Sequence, residues 1–456
     1  MLKERTEGTN RVPPDFSIVP TWESAVQESE QIRWTAAYLR ITLNGHVLTR
    51  AEDDRSKPVR DEVFLSTYPL ALWFASSWWR LCWEPAPDAG PTRRSLSWRM
   101  AHEMTAVGYG FVWPHLVFES DGESVAITCQ PSERQPTAPL RYLDDLRGSI
   151  PVAAFEAAVS TFVDSVLARL DAVATPDIEL GSIWREVVQE RADPEATAYR
   201  QLEARLGFDP DEAPEHAMER LQDLSSDAGD AAISEIAPAC SGSDPVGTLT
   251  QVIELAASPG IQGRTPPLPE LRGVLEDPGF RSGAPWERGR LLARTARTAC
   301  ELKSDPVEDD VLSEILSVGA DTFRAQPTVP AQQPIGLAVR DGTRNQLRFL
   351  FRKRNHLGRR FEAARFLADN LIAPIGDRWL PTTDSRTARQ KVQRAFATEF
   401  LCPIKALEEY LDGDLSRSRI EDAGEYFDVS PFAIESHLMN NGVLPKSWCF
   451  GEYSAG

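Results

Sequence analysis

Arg360-Phe361-Glu362-Ala363-Ala364-Arg365-Phe366-Leu367-Ala368-Asp369 is the stretch on which the reading of this chain turns. Phe361, Ala364, Leu367, Ala368 and Leu371 recur at helical spacing, so residues 360–372 predict a helix with an apolar face. Arg365 and Asp369 stand four residues apart on it, the spacing at which opposite charges on one helix can pair. Downstream, Thr387 to Phe400 reads as the next helix, ending before Pro403. Ile420 to Phe427, the turn Asp428-Val429-Ser430, and Pro431 to Asn440 then give two short helices in helix-turn-helix spacing. The same region reverses the charge of the chain. Arg340, Arg344, Arg348, Arg352, Lys353, Arg354, Arg359, Arg360 and Arg365 face only three acidic residues between Arg340 and Asp369, in a protein whose formal net charge is -19.

Taken with Arg394-Ala395-Phe396-Ala397-Thr398-Glu399-Phe400-Leu401-Cys402-Pro403, Tyr426-Phe427-Asp428-Val429-Ser430-Pro431 and Asn440-Asn441-Gly442, the stretch resembles the ImmA/IrrE family of zinc-dependent peptidases. The resemblance covers Arg340 to Leu444 and implies a compact, mainly helical zincin-like domain. Family members sense stress or another signal and act on transcriptional repressors or antitoxin-like proteins, often in phage-related settings. In the family pattern R-F-x-x-A-H-E-x-x-H, the two metal histidines fall on Arg365 and Asp369, and the catalytic Glu falls on Phe366. Arg cannot give up its proton to become a metal donor, Phe cannot accept a proton from water, and a lone Asp supplies one ligand side chain. The third-ligand Glu falls near Gln390 to Val392 and is missing; the nearest carboxylate on that helix, Glu399, lies about two turns further on. Arg365, Phe366 and Asp369 are thus the remnant of a metal face. No catalytic residue, metal or cofactor is expected.

If the family packing holds, Arg360, Arg365, Arg386, Arg389, Lys391 and Arg394 make the old cleft cationic, a candidate site for an anion or an acidic partner segment. The plainer alternative is a solvated face, or pairing with the acidic middle of the chain. The second helix of the C-terminal pair offers Glu435, Ser436, His437 and Asn440 but no Arg or Lys, which argues against base reading in a DNA groove.

The rest of the chain supplies context. Its 456 residues, 42% hydrophobic and 26% charged, exclude a disordered or fibrous protein. The acidic balance should repel nucleic acid and anionic membrane, and with no leader pattern or long apolar run the expectation is a cytoplasmic protein. Cys82, Cys129, Cys240, Cys300, Cys402 and Cys449 form no C-x-x-C pair and read as reduced, packed thiols. His102-Glu103 resembles the start of a zinc-peptidase helix, but Ala106 stands where the second histidine belongs, so His102 reads as structural. Asn44-Gly45 and Asp121-Gly122 mark hairpins, Ser66 begins a helix carrying Trp73 and Trp79, Ser95 to Val107 forms another, and Val152 to Val173 forms a long one.

The expected fold class is therefore multidomain α+β. Residues 1–175 form a Trp-rich domain with a small antiparallel sheet and helices, 176–323 a helical, acidic middle region, 324–338 a linker, and 339–456 the degenerate zincin-like domain ending in a helix-turn-helix-like pair. The expected function is a non-catalytic regulatory or scaffold protein whose pseudo-peptidase domain binds a protein partner, such as a regulator or defence-system component, in bacterial stress, toxin-antitoxin or phage-related regulation. One alternative is an active metallopeptidase with a rearranged site at His356, Asp369 and Glu399. Another is a nucleic-acid-associated protein gripping phosphates through its basic patch.

Overall fold

The computed structural model describes residues 15–26, 29–53, 58–87, 94–133, 140–176, 179–325, 333–342 and 345–445. Cys449, Arg344 and residues 326–332 of the expected linker lie outside them. The fold is mixed, with more helix than strand and small antiparallel sheets, and the chain divides into two compact units, Met1–Glu212 and Ala213–Gly456. No helix among the described residues is long and apolar enough to cross a membrane.

In unit 1, β1 (Phe16–Trp22) leads through α1 (Glu30–Trp34) to its antiparallel partner β2 (Ala36–Leu43). Asn44 and Gly45, both at positive φ, turn the chain into β3 (His46–Val47) as their sequence signal requires. Two short strands, β4 (Ala51–Asp53) and β5 (Val59–Arg60), precede β6 (Val63–Ser66), which pairs with β2. The single Trp-bearing helix expected after Ser66 is two, α2 (Tyr68–Ser76) and α3 (Trp78–Trp83), broken at Ser77. The Ser95 hydroxyl caps α4 (Leu96–His102), accepting from the Trp98 N–H at 3.1 Å. Strands β7 (His115–Ser120) and β8 (Ser124–Gln130) close around Asp121, whose Oδ1 accepts from the N–H groups of Glu123 and Ser124. After β9 (Leu140–Tyr142) and β10 (Leu146–Pro151) comes α5 (Val152–Ala172), which buries Phe155, Val159, Phe162, Val166 and Leu170, the stripe its spacing predicts.

Unit 1 does not stop near residue 175 as expected. Helices α6 (Glu179–Ala192) and α7 (Pro194–Arg205) belong to it, and Trp184 and Val187 of α6 join the core formed by Trp73, Trp78, Trp79 and the α5 stripe. The change to an acidic, helical stretch suggested a new region there, but apolar contact decides membership in a core.

Unit 2 opens with α8 (Glu215–Ala228), α9 (Asp230–Ile236) and α10 (Pro245–Ala257). Strand β11 (Ile261–Arg264) follows. Next come α11 (Glu270–Glu276), α12 (Pro278–Ser282), α13 (Pro285–Ala299), α14 (Asp309–Ile315) and α15 (Ala320–Arg324). Strands β12 (Gly336–Arg340) and β13 (Gln346–Leu350), helix α16 (His356–Ile372), strand β14 (Trp379–Thr382) and helix α17 (Ala388–Leu401) follow. The chain closes with α18 (Ile404–Leu411), α19 (Arg417–Phe427) and α20 (Pro431–Asn440). One antiparallel sheet, ordered β11-β13-β12-β14, runs through the unit. Of the residues expected to form a helical, acidic middle region, the first part falls in unit 1 and the remainder supplies a strand and several helices to unit 2.

Alternation along the strands gives the sheet two buried faces. Ala338, Phe349 and Leu380 point into a core shared with Ala363, Phe366 and Leu367 of α16, Phe396 and Phe400 of α17, and Leu292 of α13. Leu337, Val339 and Trp379 point the other way, where α9 and α10 lie against β14 and β12. Helix α13 packs so closely on α17 that a Cβ on Gly289 would stand 2.4 Å from the Val392 carbonyl oxygen, so only glycine fits there. The open edge of β14 is sealed by side chains: Gln390 and Gln393 of α17 both donate to the Pro381 carbonyl at 3.1 Å.

Candidate functional site

Helix α16 begins where Asn355 caps it, the side chain accepting from the Gly358 N–H at 2.6 Å. It was expected to be apolar on one face only. Instead every residue from Arg359 to Asn370 except Phe361 is buried, including Arg359, Arg360, Glu362, Arg365 and Asp369. A helix that takes so many charges inside must meet them with partners, because an uncompensated buried charge is strongly destabilising.

The partners come from α17 and from the segments around β14. Asp369, fully buried, receives a two-pronged grip from Arg389: Nε to Oδ1 at 2.7 Å and Nη2 to Oδ2 at 2.9 Å. The remaining arm of Arg389 donates from Nη1 to Asp377 Oδ2 at 2.8 Å. Arg365 donates from Nη2 to the Thr383 carbonyl at 2.7 Å and to Gln390 Oε1. The Arg365–Asp369 pair suggested by their spacing is therefore not formed. Arg389 and Gln390, neighbours in the first turn of α17, reach two residues one turn apart on α16 and separate them.

Gln390 stands at the place expected for the third ligand and has no capacity left. Its Oε1 also accepts from the Thr383 N–H at 2.9 Å, and its Nε2 donates to Pro381 O and, at 2.9 Å, to Glu235 Oε2. Glu235 enters from α9 and also accepts from the Thr387 hydroxyl at 2.5 Å. Glu362 takes the N–H groups of Arg352 and Lys353 on Oε2, at 2.8 and 3.2 Å, and the Thr382 hydroxyl on Oε1. Phe366, where the resemblance puts a catalytic Glu, is fully buried against Phe349 and Phe351, with ring centroids 5.8 and 5.5 Å away.

The electrostatics follow from this packing. Burial works against the charge of Arg389, but Asp369, Glu235 and Asp377 outweigh it and hold the guanidinium above its ordinary range. Burial, then the neighbouring Arg394, pushes Arg365 down to about 9, which leaves it charged at neutral pH. Burial raises Glu235, Glu362 and Asp377 above the usual carboxylate range despite their partners. The donor set does not fit a zinc ion. Arg365 has no lone pair to offer, both oxygens of Asp369 are held by Arg389, and the Gln390 oxygen already accepts two hydrogen bonds.

The six basic residues expected in one cleft do not converge there. Arg360, fully buried, belongs to the opposite end of α16, where Nη1 meets Asp309 Oδ1 at 2.5 Å and Nε meets Asp428 Oδ2 at 3.1 Å. Arg365 and Arg389 are consumed as described, and Arg394 donates from Nη2 to Ser385 O at 2.9 Å. Arg386 and Lys391 are half-exposed beside the start of α17. Other members of the basic run are also drawn into the fold: Arg340 onto Asn370 and the carbonyls of Pro374 and Asp377, Arg348 onto Asp341, Arg352 onto both oxygens of Asp384 at 2.7 Å.

The alternative site of His356, Asp369 and Glu399 is not assembled. Glu399 takes Arg294 Nε at 2.7 Å and faces His437 Nε2 at 3.3 Å, while His356 Nε2 sits 2.7 Å from Asp309 Oδ2. Among the described residues, Asp309, His356 and Asp428 form a group with metal-ligand spacing. Arg360 already bridges its two carboxylates, and Arg324 Nε lies 3.6 Å from Asp309, so the place is filled by cations of the chain itself. His437, considered for groove reading, is buried. In unit 1, His102 is buried, stacked on Trp98, and bonded through Nε2 to Glu84 and through Nδ1 to the Phe118 carbonyl, a structural histidine.

Sequence reasoning placed a helix over 360–372 with Arg365 and Asp369 on it, and noted no ligand Glu near Gln390 to Val392. It missed Glu235 and Asp377, which sit 134 and 8 positions away from Asp369 and carry no motif. It also missed a groove in unit 1 lined by Tyr38, Phe64, Phe111, Val112 and Leu140. No family model matches the chain, and neither a curated protein nor a solved structure matches it.

Proposed function

We propose that unit 2 is a metal-free, zincin-like pseudo-peptidase of ImmA/IrrE type, and that the protein is a non-catalytic regulatory or scaffold protein acting by binding a protein partner. One observation carries the reading: at each position where the family pattern needs a donor or a base, the side chain is tied into a closed internal network or packed as core. Asp369 is locked by Arg389, Arg365 by Gln390 and Thr383, and Phe366 by its aromatic neighbours. Such a network stabilises a shape and leaves nothing to activate water. The regulatory setting, in stress response, toxin-antitoxin control or phage defence, rests on the resemblance alone. A nucleic-acid role draws little support, because most of the basic run is spent on internal partners.

The test is the metal content of purified, untagged protein after dialysis without chelator, measured by inductively coupled plasma mass spectrometry. Zinc below about a tenth of an equivalent is expected, since no open tetrahedral donor set is present among the described residues. Zinc near one equivalent, lost together with a proteolytic activity on chelation, would overturn the reading.

A further inference from the structure

Helix α9 is attached in an unusual way. Gly229, at φ +100, joins it to α8 and lies so close to Asp377 that a Cβ there would be 2.3 Å from Oδ1. A short 3-10 turn, Ala237–Cys240, follows it. Its apolar residues Ala232, Ile233 and Ile236 are buried, yet none belongs to the core that fills the α16 side of the sheet. Removing α9 would open the Trp379 face and leave that core closed.

Its seat is electrostatically mismatched. Glu235 brings a third carboxylate to a place where Asp369 and Asp377 already share the hydrogen bonds of one guanidinium, Arg389. Arg340 adds charge beside Asp377, and Arg365 lies on the far side of the Gln390 amide. Glu235 itself takes hydrogen bonds only from neutral donors, Thr387 and Gln390; burial raises its carboxyl against the attraction of Arg389, which forms no hydrogen bond with it, and Asp369 adds a smaller repulsion. Burying a carboxylate in this way opposes the docking that the apolar residues drive.

We propose that α9 is a releasable strap, which opens as a local unit ahead of the main core of unit 2 and bares the Trp379 face of the sheet. Sub-global openings of this kind arise where one element is held less firmly than the rest. Two thiols of the full chain report it directly: Cys240, buried just after α9, and Cys402, buried in the main core. Alkylation by N-ethylmaleimide at fixed pH, resolved by peptide mass spectrometry, reads both at once. Cys240 is expected to label at least about tenfold faster than Cys402, the signature of local rather than global opening.

Glu235→Gln keeps a carbonyl acceptor for Thr387 and Gln390 but removes the charge, so it should slow Cys240 several-fold and leave Cys402 unchanged. Ile233→Ala, which weakens the apolar hold, should speed Cys240 by roughly tenfold or more with Cys402 again unchanged. Equal labelling of the two thiols in the wild-type chain, equal acceleration of both by Ile233→Ala, or no slowing of Cys240 by Glu235→Gln would overturn the proposal.

Discussion

Replacing Arg389 by Met is the sharpest test of the closed network. The change keeps much of the apolar stem but removes a guanidinium that makes three hydrogen bonds, two to Asp369 and one to Asp377, both carboxylates being essentially buried. Breaking a buried ion pair by deleting one partner costs about 3–5 kcal/mol, because the surviving charge has no compensation. At about 2–4 °C per kcal/mol for a unit of this size, the loss corresponds to a melting point lowered by roughly 6–20 °C. Adding Asp369→Asn to Arg389→Met removes one stranded charge and should return part of the loss, whereas Asp369→Asn alone leaves Arg389 with Asp377 and Glu235 and should cost less than Arg389→Met. The three variants and wild type form a double-mutant cycle. Urea unfolding followed by alkylation of Cys402 reads unit 2 alone, since that thiol lies in its core. A loss below about 1 kcal/mol for Arg389→Met, the range of an exposed ion pair, would refute the claim that this network is buried and self-contained. So would a double variant no more stable than the single one.

Three further outcomes follow from the same site. Burial raises Glu235 above its unfolded value, so its contribution to stability is fully present below about pH 4.3 and is lost as pH rises through the folded value. Glu235→Gln should therefore gain on wild type as pH increases from 5 to 8 in urea denaturation; parallel pH profiles would contradict this assignment. Phe366→Ala, which empties a fully buried ring site against Phe349 and Phe351, should cost about 3–5 kcal/mol. Phe366→Glu should be at least as damaging and should produce no peptidase activity in a casein-release assay, since it restores a base without a metal; activity gained on adding zinc would sink the reading of Arg365 and Asp369 as tied.

Local pattern settled a good deal about this chain. The turns at Asn44-Gly45 and Asp121-Gly122, the α5 stripe, the α16 and α17 helices and the short C-terminal pair were legible because their causes lie within a few residues: turn residues that accept positive φ and apolar spacing; only the first turn of α16, capped by Asn355, was not read. That Arg365 and Phe366 can serve neither as a metal donor nor as a base was legible too, because the lack of a lone pair or a base is a property of the residue itself.

Only the tertiary structure decided where the charges went. Spacing on α16 made Arg365 and Asp369 natural partners, but spacing describes an isolated helix in water, where nearest neighbours on its surface pair. Once α17, β14 and α9 enclose that helix, each buried charge turns to whichever partner desolvation leaves within reach. Asp369 finds Arg389, Arg365 finds Gln390, and Arg360 finds Asp309 and Asp428. The units divide differently for a similar reason: an acidic, helical stretch read as a middle region, while the strand Ile261–Arg264 pairs with β13 and α13 packs closely on α17 at Gly289. Composition records what each residue prefers in water. Long-range packing, which takes these residues out of water, determines which of those preferences is satisfied and by whom.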